Sequence, residues 1–269
     1  MEKTSKTGNE PRPTALITGA SSGIGLELAR VLAEHAHDVV LVARRVEALE
    51  AAAGAIEGKH GVRAIVIPAD LRNEDAAQEI YNAAAAQSLD ISILVNNAGF
   101  GLGGEFLETD LSREIEMIKV NIIAVTQLTK LFAGAMVKRR SGRIMNVAST
   151  AAFQPGPLMA VYYATKAYVL SFSEAIAEEL RNTGVTVTAL CPGATATDFA
   201  TTALISNSRL FTKLGVTDAN SVARAGYKAM MRGERVAIPS LRDKIMVQSE
   251  RIAPRALVTK LARMAQENR

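Results

Sequence analysis

The chain has 269 residues, 48% hydrophobic and 22% charged, a balance that supports a sizeable core and excludes intrinsic disorder. A single cysteine excludes a disulfide framework, and three histidines without neighbouring ligands give no reason to expect a metal. The net charge is +4, but aromatic residues are only 4% and tryptophan is absent, which disfavours a nucleic-acid partner. The polar residues 1–12 lack the apolar stretch of a signal peptide. We therefore expect a disordered tail there and a cytoplasmic protein.

Short apolar runs alternate with helix-like segments along most of the chain. The runs are rich in β-branched residues, which is typical of strands buried on both faces, and they cover residues 15–18, 39–42, 64–67, 91–95, 144–147, 185–190 and 236–238. The helix-like segments cover residues 24–36, 46–57, 74–87, 111–138, 161–182 and 219–232. This alternation predicts a single α/β domain over residues 13–238. We expect a doubly wound parallel sheet of about seven strands with helices on both faces.

Residues 239–269 fall outside this alternation. Large apolar residues recur there at near-helical spacing on either side of Pro254: Leu241, Ile245, Ile252, Leu257, Leu261 and Met264. The spacing predicts two amphipathic helices, which we expect to pack on the domain, while contact with another subunit or a membrane surface stays open. Residues 232–269 also carry nine Lys/Arg against four Asp/Glu. The excess is either a solvated basic face or a contact with an anionic partner such as phospholipid or an acidic carrier.

A glycine-rich turn connects the first strand to the first helix. It has the sequence Thr18-Gly19-Ala20-Ser21-Ser22-Gly23-Ile24-Gly25. Glycines allow a sharp turn and close approach to a pyrophosphate, and a helix N-terminus offers unpaired N–H groups to it. An ordinary tight turn is the alternative. We expect a dinucleotide to contact Gly19, Ser21, Ser22, Gly23, Ile24 and Gly25.

The end of the second strand favours NADP(H) over NAD(H). A carboxylate there would bind the ribose 2′-hydroxyl, but Ala43 holds that place and Arg44 and Arg45 follow. A guanidinium pairs well with a 2′-phosphate, although both arginines, and Arg45 in particular, could equally open the next helix at the surface. Asp70, followed by Leu71, is placed to meet the adenine or to cap the following helix.

Five motifs in chain order resemble those of the classical short-chain dehydrogenases/reductases. They are TGxxxGxG at 18–25, NNAG at 96–99, a serine at Ser149, YxxxK from Tyr162 to Lys166, and PGxxxT at 192–197. The resemblance extends over about residues 13–238. It implies a Rossmann-type fold, a nicotinamide cofactor, hydride exchange with a carbonyl or alcohol substrate, and a homodimer or homotetramer.

The same resemblance implies site residues. The catalytic residues would be Asn121, Ser149, Tyr162 and Lys166. The cofactor would also be lined by Asn96, Asn97, Ala98, Gly99, Tyr162, Lys166, Pro192, Gly193, Thr195 and Thr197. The chain departs from many NADP-dependent relatives at Ser22, where they carry a basic residue, so Arg44 would be the main partner of the 2′-phosphate.

These residue types suit proton transfer. Tyr162 and Lys166 are four positions apart on a predicted helix and share a face, so the ammonium should lower the phenol pKa and let Tyr162 act as general acid or base. Ser149 could bond the carbonyl oxygen. Asn121, inside helix 111–138, needs partners, which a water relay to Lys166 would supply; a local bond is the alternative. Tyr163 is rotated about 100° away and should pack.

An apolar lid over a lipid-like carbonyl is our hypothesis for segment 194–217, with plain packing as the alternative. Its apolar residues are Phe199, Leu204, Ile205, Leu210, Phe211 and Leu214. The same surface could include Phe100, Leu102, Phe106, Phe153 and Leu158. The resemblance points to 3-oxoacyl thioester and hydroxysteroid reductases among the nearer types. A redox sensor without turnover and an NAD-dependent alcohol dehydrogenase of the same family remain as alternatives.

Overall fold

Seven parallel strands form one sheet in a computed structural model, which describes residues 12–205 and 215–267. The strands are β1 (Thr14–Thr18), β2 (Asp38–Ala43), β3 (Ala64–Pro68), β4 (Ile91–Asn96), β5 (Gly142–Val147), β6 (Val185–Leu190) and β7 (Val236–Ala237). Their order is β3-β2-β1-β4-β5-β6-β7. The predicted tail, apart from residue 12, lies outside the described residues, as do Leu210, Phe211 and Leu214 of the predicted lid.

Helices cover both faces of this sheet. They are α1 (Gly23–Glu34), α2 (Val46–His60), α3 (Ala76–Ala86), α4 (Leu111–Ile118), α5 (Ala124–Lys138), α6 (Ala160–Glu179), α7 (Phe199–Thr202), α8 (Ala219–Met231), α9 (Leu241–Glu250) and α10 (Arg255–Gln266). A 3₁₀ turn, Thr150–Phe153, and the short α7 were not expected from the sequence. The predicted doubly wound α/β fold is confirmed.

The core has two layers because strand residues alternate between the faces of the sheet. Leu16 pairs in register with Val40 on one side and Leu94 on the other. It packs with Ile80 and Leu128 beneath α3 and α5. On the opposite face, the strands pack against the inner sides of α1, α2 and α8 through Ile17, Leu41, Leu28, Leu32, Leu49 and Val222. Both faces are therefore apolar, which explains the nearly continuous apolar runs in the sequence.

The strand order reverses between β1 and β4. Chain connections leave β1 toward β2 and β3 on one side, and β4 leads to β5, β6 and β7 on the other. Loops diverge at such a point and leave a crevice outside the carboxyl ends of the strands, where ligands bind in doubly wound sheets. The glycine-rich turn and residues 97–99 meet at this crevice.

The long helix predicted for 111–138 is continuous but irregular. α4 and α5 are joined by a π-helical turn, Lys119–Ile123, which contains Asn121. Leu111–Lys138 is also the one stretch among the described residues that is long and apolar enough to cross a membrane. Its buried residues Leu128, Phe132 and Met136 pack in the core with Val185 of β6, as expected of a core helix.

The two predicted C-terminal helices are present, but they do not pack through the predicted apolar stripe. The six stripe residues are all exposed, from Met264 at 43% to Ile252 at 88%. The buried residues on these helices are instead Asp243, Val247, Val258, Ala262 and Gln266. The apolar periodicity therefore predicted the positions of the two helices correctly but predicted the wrong side of each helix to be buried. The side that packs on the domain carries small and polar residues instead of large apolar ones.

Candidate active site

A cavity of about 770 Å³ follows the carboxyl edge of the sheet. Its wall includes most of the predicted site residues: Gly19, Ser21, Ser22, Gly23, Ile24, Arg44, Asp70, Leu71, Asn97, Ala98, Gly99, Ser149, Tyr162, Lys166, Pro192, Gly193, Thr195 and Thr197. Three predicted residues, Gly25, Asn96 and Asn121, are not part of the wall. The fold thus brings five separated motifs to one cavity.

The glycine-rich turn is closely packed against the segment after β4. The Asn97 side-chain amide donates to the carbonyl oxygens of Thr18 (2.9 Å) and Gly19 (3.3 Å). A Cβ atom on Gly25 would overlap the Gly19 carbonyl oxygen and this amide. Gly19 itself has φ +67°, a conformation that favours glycine. Gly25 therefore supports the turn by packing, one layer behind the cavity wall.

The start of α1 fits a dinucleotide pyrophosphate. Ser22 is the N-cap residue in an extended conformation, and no side chain caps the first-turn N–H groups of the helix. These groups and the positive end of the helix dipole suit an anion. Thr197 packs close to Gly23, since a Cβ on Gly23 would lie 3.1 Å from its Cγ2 atom. Uncapped N–H groups at a helix start that lines the cavity are what a dinucleotide requires.

A basic corner lies at the ends of β2 and β3. Arg44 and Arg45 are both exposed and line the cavity, and the Arg45 guanidinium donates to the Ser21 hydroxyl (3.3 Å). Asp70 is held by Arg72, which donates to its carboxylate through Nε (3.0 Å) and lowers the pKa of Asp70. Asp70 does not cap a helix, because α3 begins only at residue 76. The sequence left Arg45 open between the 2′-phosphate and the start of the next helix, where it is the N-cap residue of α2, and it did not indicate the involvement of Arg72.

The NNAG segment divides between the core and the cavity. The Thr18 hydroxyl accepts the backbone N–H groups of Asn97 and Ala98, both at 3.0 Å. Asn96 was expected to line the cofactor, but it is 2% exposed and donates inward to Thr129 (3.0 Å) and Asn146 (2.8 Å). Successive strand residues point to opposite sides, so neighbouring asparagines cannot both face the cavity.

Ser149, Tyr162 and Lys166 meet beyond the end of β5. The Lys166 ammonium lies 5.9 Å from the centroid of the Tyr162 ring and donates to the Val147 carbonyl (2.8 Å). Ser149 precedes the 3₁₀ turn. Its hydroxyl accepts from the Ala151 N–H (3.1 Å), donates to the Pro192 carbonyl (3.4 Å) and lies close enough to the Tyr162 phenol to oppose the rise of its pKa. Their side chains line one part of the cavity.

Burial dominates the titration of this group. It raises the pKa of Tyr162 above its usual value, while the neighbouring Ser149 hydroxyl opposes the shift. The sequence-based expectation of a lowered pKa for Tyr162 is therefore wrong. Burial also lowers the pKa of Lys166 to about 8. Desolvation disfavours the charged form of each group, so Tyr162 is a neutral phenol at neutral pH.

Asn121 connects two segments behind the site. Its side-chain amide donates to the Phe100 carbonyl and the Thr165 hydroxyl, both at 3.0 Å, and its oxygen accepts from the Phe100 N–H (3.1 Å). These are protein partners distant in sequence, so neither the expected water relay nor the local bond is needed to satisfy it. A Cβ on Gly99 would lie 3.0 Å from its Oδ1 and 3.4 Å from Lys166 Nζ, which places both close to the cavity.

The far end of the cavity is mostly apolar. Of the predicted lid and surface residues, Phe100, Phe199 and Ile205 line it. Leu204 and Phe106 are 72% and 61% exposed. Leu102 packs near Tyr162, Phe153 packs against α6, and Leu158 lines a smaller neighbouring cavity: these three are not in the main wall.

The C-terminal helices supply the rest of this wall, which the sequence did not predict. The contributing residues are Met246, Ser249, Glu250, Ala253, Val258, Leu261, Ala262, Ala265 and Gln266. Tyr163 is buried, as expected, but its hydroxyl also accepts from the Gln266 side-chain amide (2.7 Å). This contact joins α10 to α6 next to Tyr162. Cys191 is buried, and its pKa is raised to about 12 by desolvation, consistent with a packing role.

A doubly wound sheet with a dinucleotide crevice and a tyrosine–lysine pair defines a nicotinamide-dependent oxidoreductase. The sequence model of the family described as short chain dehydrogenase matches residues 13–207. The chain belongs to the short-chain dehydrogenase/reductase family, as the motifs predicted.

Named proteins and solved structures that are similar to this chain support the same family assignment. A ketoacyl reductase of Nostoc sp. is 34% identical over 81% of this chain and 75% of its own length. The human very-long-chain 3-oxoacyl-CoA reductase is 37% identical over 69% of this chain, which spans only 60% of that protein. The NADPH complex of a short-chain dehydrogenase from Sphingobium yanoikuyae is 33% identical, with a TM-score of 0.80 over 89% of this chain and 93% of its own.

Proposed function

We propose that the protein reduces a ketone to a secondary alcohol with NADPH and that Tyr162 is the proton donor. The observation that carries this proposal is the buried Tyr162 phenol, which lines the cavity with Ser149 and Lys166 and whose pKa is raised by desolvation. A neutral phenol can protonate the oxygen of a carbonyl that is being reduced. A phenolate would favour the opposite direction, oxidation of an alcohol.

In this proposal each residue handles a defined atom. A nicotinamide cofactor, when bound, supplies the hydride to the carbonyl carbon. The Ser149 hydroxyl donates a hydrogen bond to the carbonyl oxygen as negative charge develops there. Tyr162 gives that oxygen its proton. Lys166, with a pKa near 8, is suited to carry a proton toward Tyr162, and Asn121 holds the segment beside it in place.

The basic corner supports NADPH as the preferred form. Arg44 and Arg45 lie where the second strand ends, the position that contacts the adenosine ribose in dinucleotide-binding folds. No carboxylate takes the place of Ala43 to select the free 2′-hydroxyl. The Sphingobium relative was solved with NADPH, which agrees with this preference.

The cavity supports an apolar substrate. Its wall away from the basic corner is formed mainly by Phe100, Met159, Phe199, Ile205, Val258 and Leu261. Apolar side chains of this kind suit an acyl chain or a fused-ring ketone. The human relative's name refers to long acyl substrates, which is consistent with this choice.

The experiment is an NADPH oxidation assay on a panel of ketones, from short polar ketones and sugars to long acyl ketones. We expect turnover of the apolar ketones and a decrease in kcat of about 10²- to 10⁴-fold for Tyr162→Phe, since this substitution removes the proton donor. Tyr168→Phe, a half-exposed tyrosine on the same helix, is the matched control. Undiminished turnover by Tyr162→Phe would refute the assignment, and a preference for sugars would refute the apolar substrate.

We also propose that the exposed apolar stripe on α9 and α10 contacts an anionic lipid surface. Exposed basic residues lie beside the stripe at Lys244, Arg251, Arg255 and Lys260. Apolar and basic side chains together favour anionic bilayers. Co-sedimentation with phosphatidylglycerol vesicles should be lost in the double variant Ile245→Asp, Ile252→Asp and kept in Leu107→Asp, an exposed leucine elsewhere. Equal binding by both variants, or a stripe that instead holds a dimer together in sizing experiments, would contradict the proposal.

A further inference from the structure

The wall that α9 and α10 contribute to the cavity is mostly apolar. Most of its residues are alanine, valine, leucine or methionine. Glu250 at the end of α9 and Gln266 at the end of α10 are the exceptions with long polar side chains. Both line the same cavity as Tyr162. Polar groups in an otherwise apolar wall determine which ligands it accepts and in what orientation.

Gln266 is held in a defined orientation. Its side chain is 5% exposed, and its amide nitrogen donates to the Tyr163 hydroxyl at 2.7 Å. The amide oxygen, Oε1, then has no hydrogen-bond partner among the described residues. The contact with Tyr163 therefore leaves a fixed, buried acceptor beside the cavity.

Glu250 adds a second buried acceptor. One of its carboxyl oxygens, Oε2, is buried and has no hydrogen-bond partner within 12–205 and 215–267. Its carboxylate is close enough to Tyr163 to raise the pKa of that phenol, and burial raises the pKa of Glu250 itself to about 7. Each of the two helices thus contributes to the cavity wall one acceptor that has no partner among the described residues.

Buried acceptors without donors are unfavourable, and this cost is removed by a ligand that brings a donor. We propose that Glu250 and Gln266 bind a hydroxyl group of the substrate, separate from the ketone that Tyr162 protonates. This inference rests on the proposed function, because it takes the ketone of the same substrate to lie at Tyr162. A hydroxyl fits because it is neutral and can donate to either oxygen, while the rest of the substrate lies on the apolar wall.

The test uses straight-chain alkanones and matched hydroxyalkanones, with the hydroxyl placed four to ten carbons from the ketone. At one spacing, we expect the hydroxyl to raise kcat/KM about tenfold, mainly through a lower KM, which corresponds to one hydrogen bond to a charged or polar acceptor. This gain, measured in each variant as the ratio of kcat/KM for the hydroxyalkanone to kcat/KM for the plain alkanone, should fall to about onefold in Glu250→Met and Gln266→Met. Glu250→Gln keeps an acceptor and should retain part of the gain.

Two controls separate this site from general effects on folding. Gln248→Met changes an exposed residue on α9, and Glu50→Gln an exposed residue on α2, and both should keep the full gain. A gain that survives both methionine variants, or no gain at any spacing in an enzyme that reduces alkanones, would overturn the proposal. A stronger effect of an amino group than of a hydroxyl would overturn the choice of hydroxyl.

Calorimetry distinguishes failure here from failure of the proposed function. Alkanones and hydroxyalkanones are titrated into NADP⁺-loaded protein, in which the cofactor has no hydride to transfer and the ketone is bound without being reduced. Tighter binding of the hydroxyalkanone that is lost in Glu250→Met supports the site even if no ketone is reduced. Equal dissociation constants for the two compounds in the wild type would refute it.

Discussion

The two ends of the cavity are built in different ways. At the cofactor end, the wall is mainly backbone: the turn at Gly19, the uncapped start of α1 and the N–H groups that bond Thr18. At the substrate end, the wall is formed by residues of α7, α9 and α10 together with Phe100, Met159 and Ile205. Backbone sites need particular residues at fixed spacing, whereas side-chain walls can be rebuilt with many residue types. The first end can therefore be recognised from the sequence, and the second cannot.

This contrast predicts the largest effect at a glycine of the cofactor end. Gly25→Ala should destabilise the protein by about 3 kcal/mol, since the new methyl group overlaps backbone atoms that cannot move aside. NADPH binding should weaken as well. Gly54→Ala is the matched control, because Gly54 lies in the middle of α2 with nothing within 4 Å of its Cβ position. It should stabilise the protein by up to about 1 kcal/mol. Urea denaturation measures the free energy of unfolding of both variants. Similar changes in Gly25→Ala and Gly54→Ala would contradict the packing argument.

A smaller effect is expected at the basic corner, where the side chains are exposed. Arg44→Ala should weaken NADPH binding about tenfold and leave NADH binding nearly unchanged, because only NADPH carries the 2′-phosphate. Arg45→Ala should have a lesser effect of the same kind, since Arg45 also contacts Ser21. Fluorescence titration with NADPH and with NADH gives the ratio of the two dissociation constants for each variant. If wild type binds NADH as tightly as NADPH, the cofactor preference is wrong.

The smallest expected effect is a pH dependence at the substrate end. The pKa of Glu250 is raised to about 7 by burial, so between the usual carboxyl value and pH 7 the folded state binds more protons than the unfolded state. Stability therefore falls as the pH rises through this range. Glu250→Gln removes the titration, so its Tm relative to wild type should increase from pH 5 to pH 8. Glu50→Gln should show no such trend, and a flat difference for Glu250→Gln would argue against burial of this carboxyl group.

Several features of the site depended on contacts that no local pattern encodes. Asn121 was identified from the motifs, but its partners Phe100 and Thr165 are far away in sequence and come together only after α6 packs on the π-helical turn. The same holds for Tyr162. Its spacing from Lys166 brings both residues to the same cavity, yet the pKa of Tyr162 is raised rather than lowered, because desolvation by burial has the largest effect on it.

The sequence by itself determined the alternating strands and helices, the glycine-rich turn and the family. These follow from rules that act over a few neighbouring residues: period, β-branching, glycine spacing and motif order. Only the tertiary structure decided which asparagine faces the cavity, how Tyr162 titrates and which side of α9 and α10 is buried. Those properties depend on desolvation and on packing partners distant along the chain. The surface that receives the C-terminal helices exists only once the sheet and α6 are assembled, so no periodicity within residues 239–269 could reveal that Gln266 meets Tyr163.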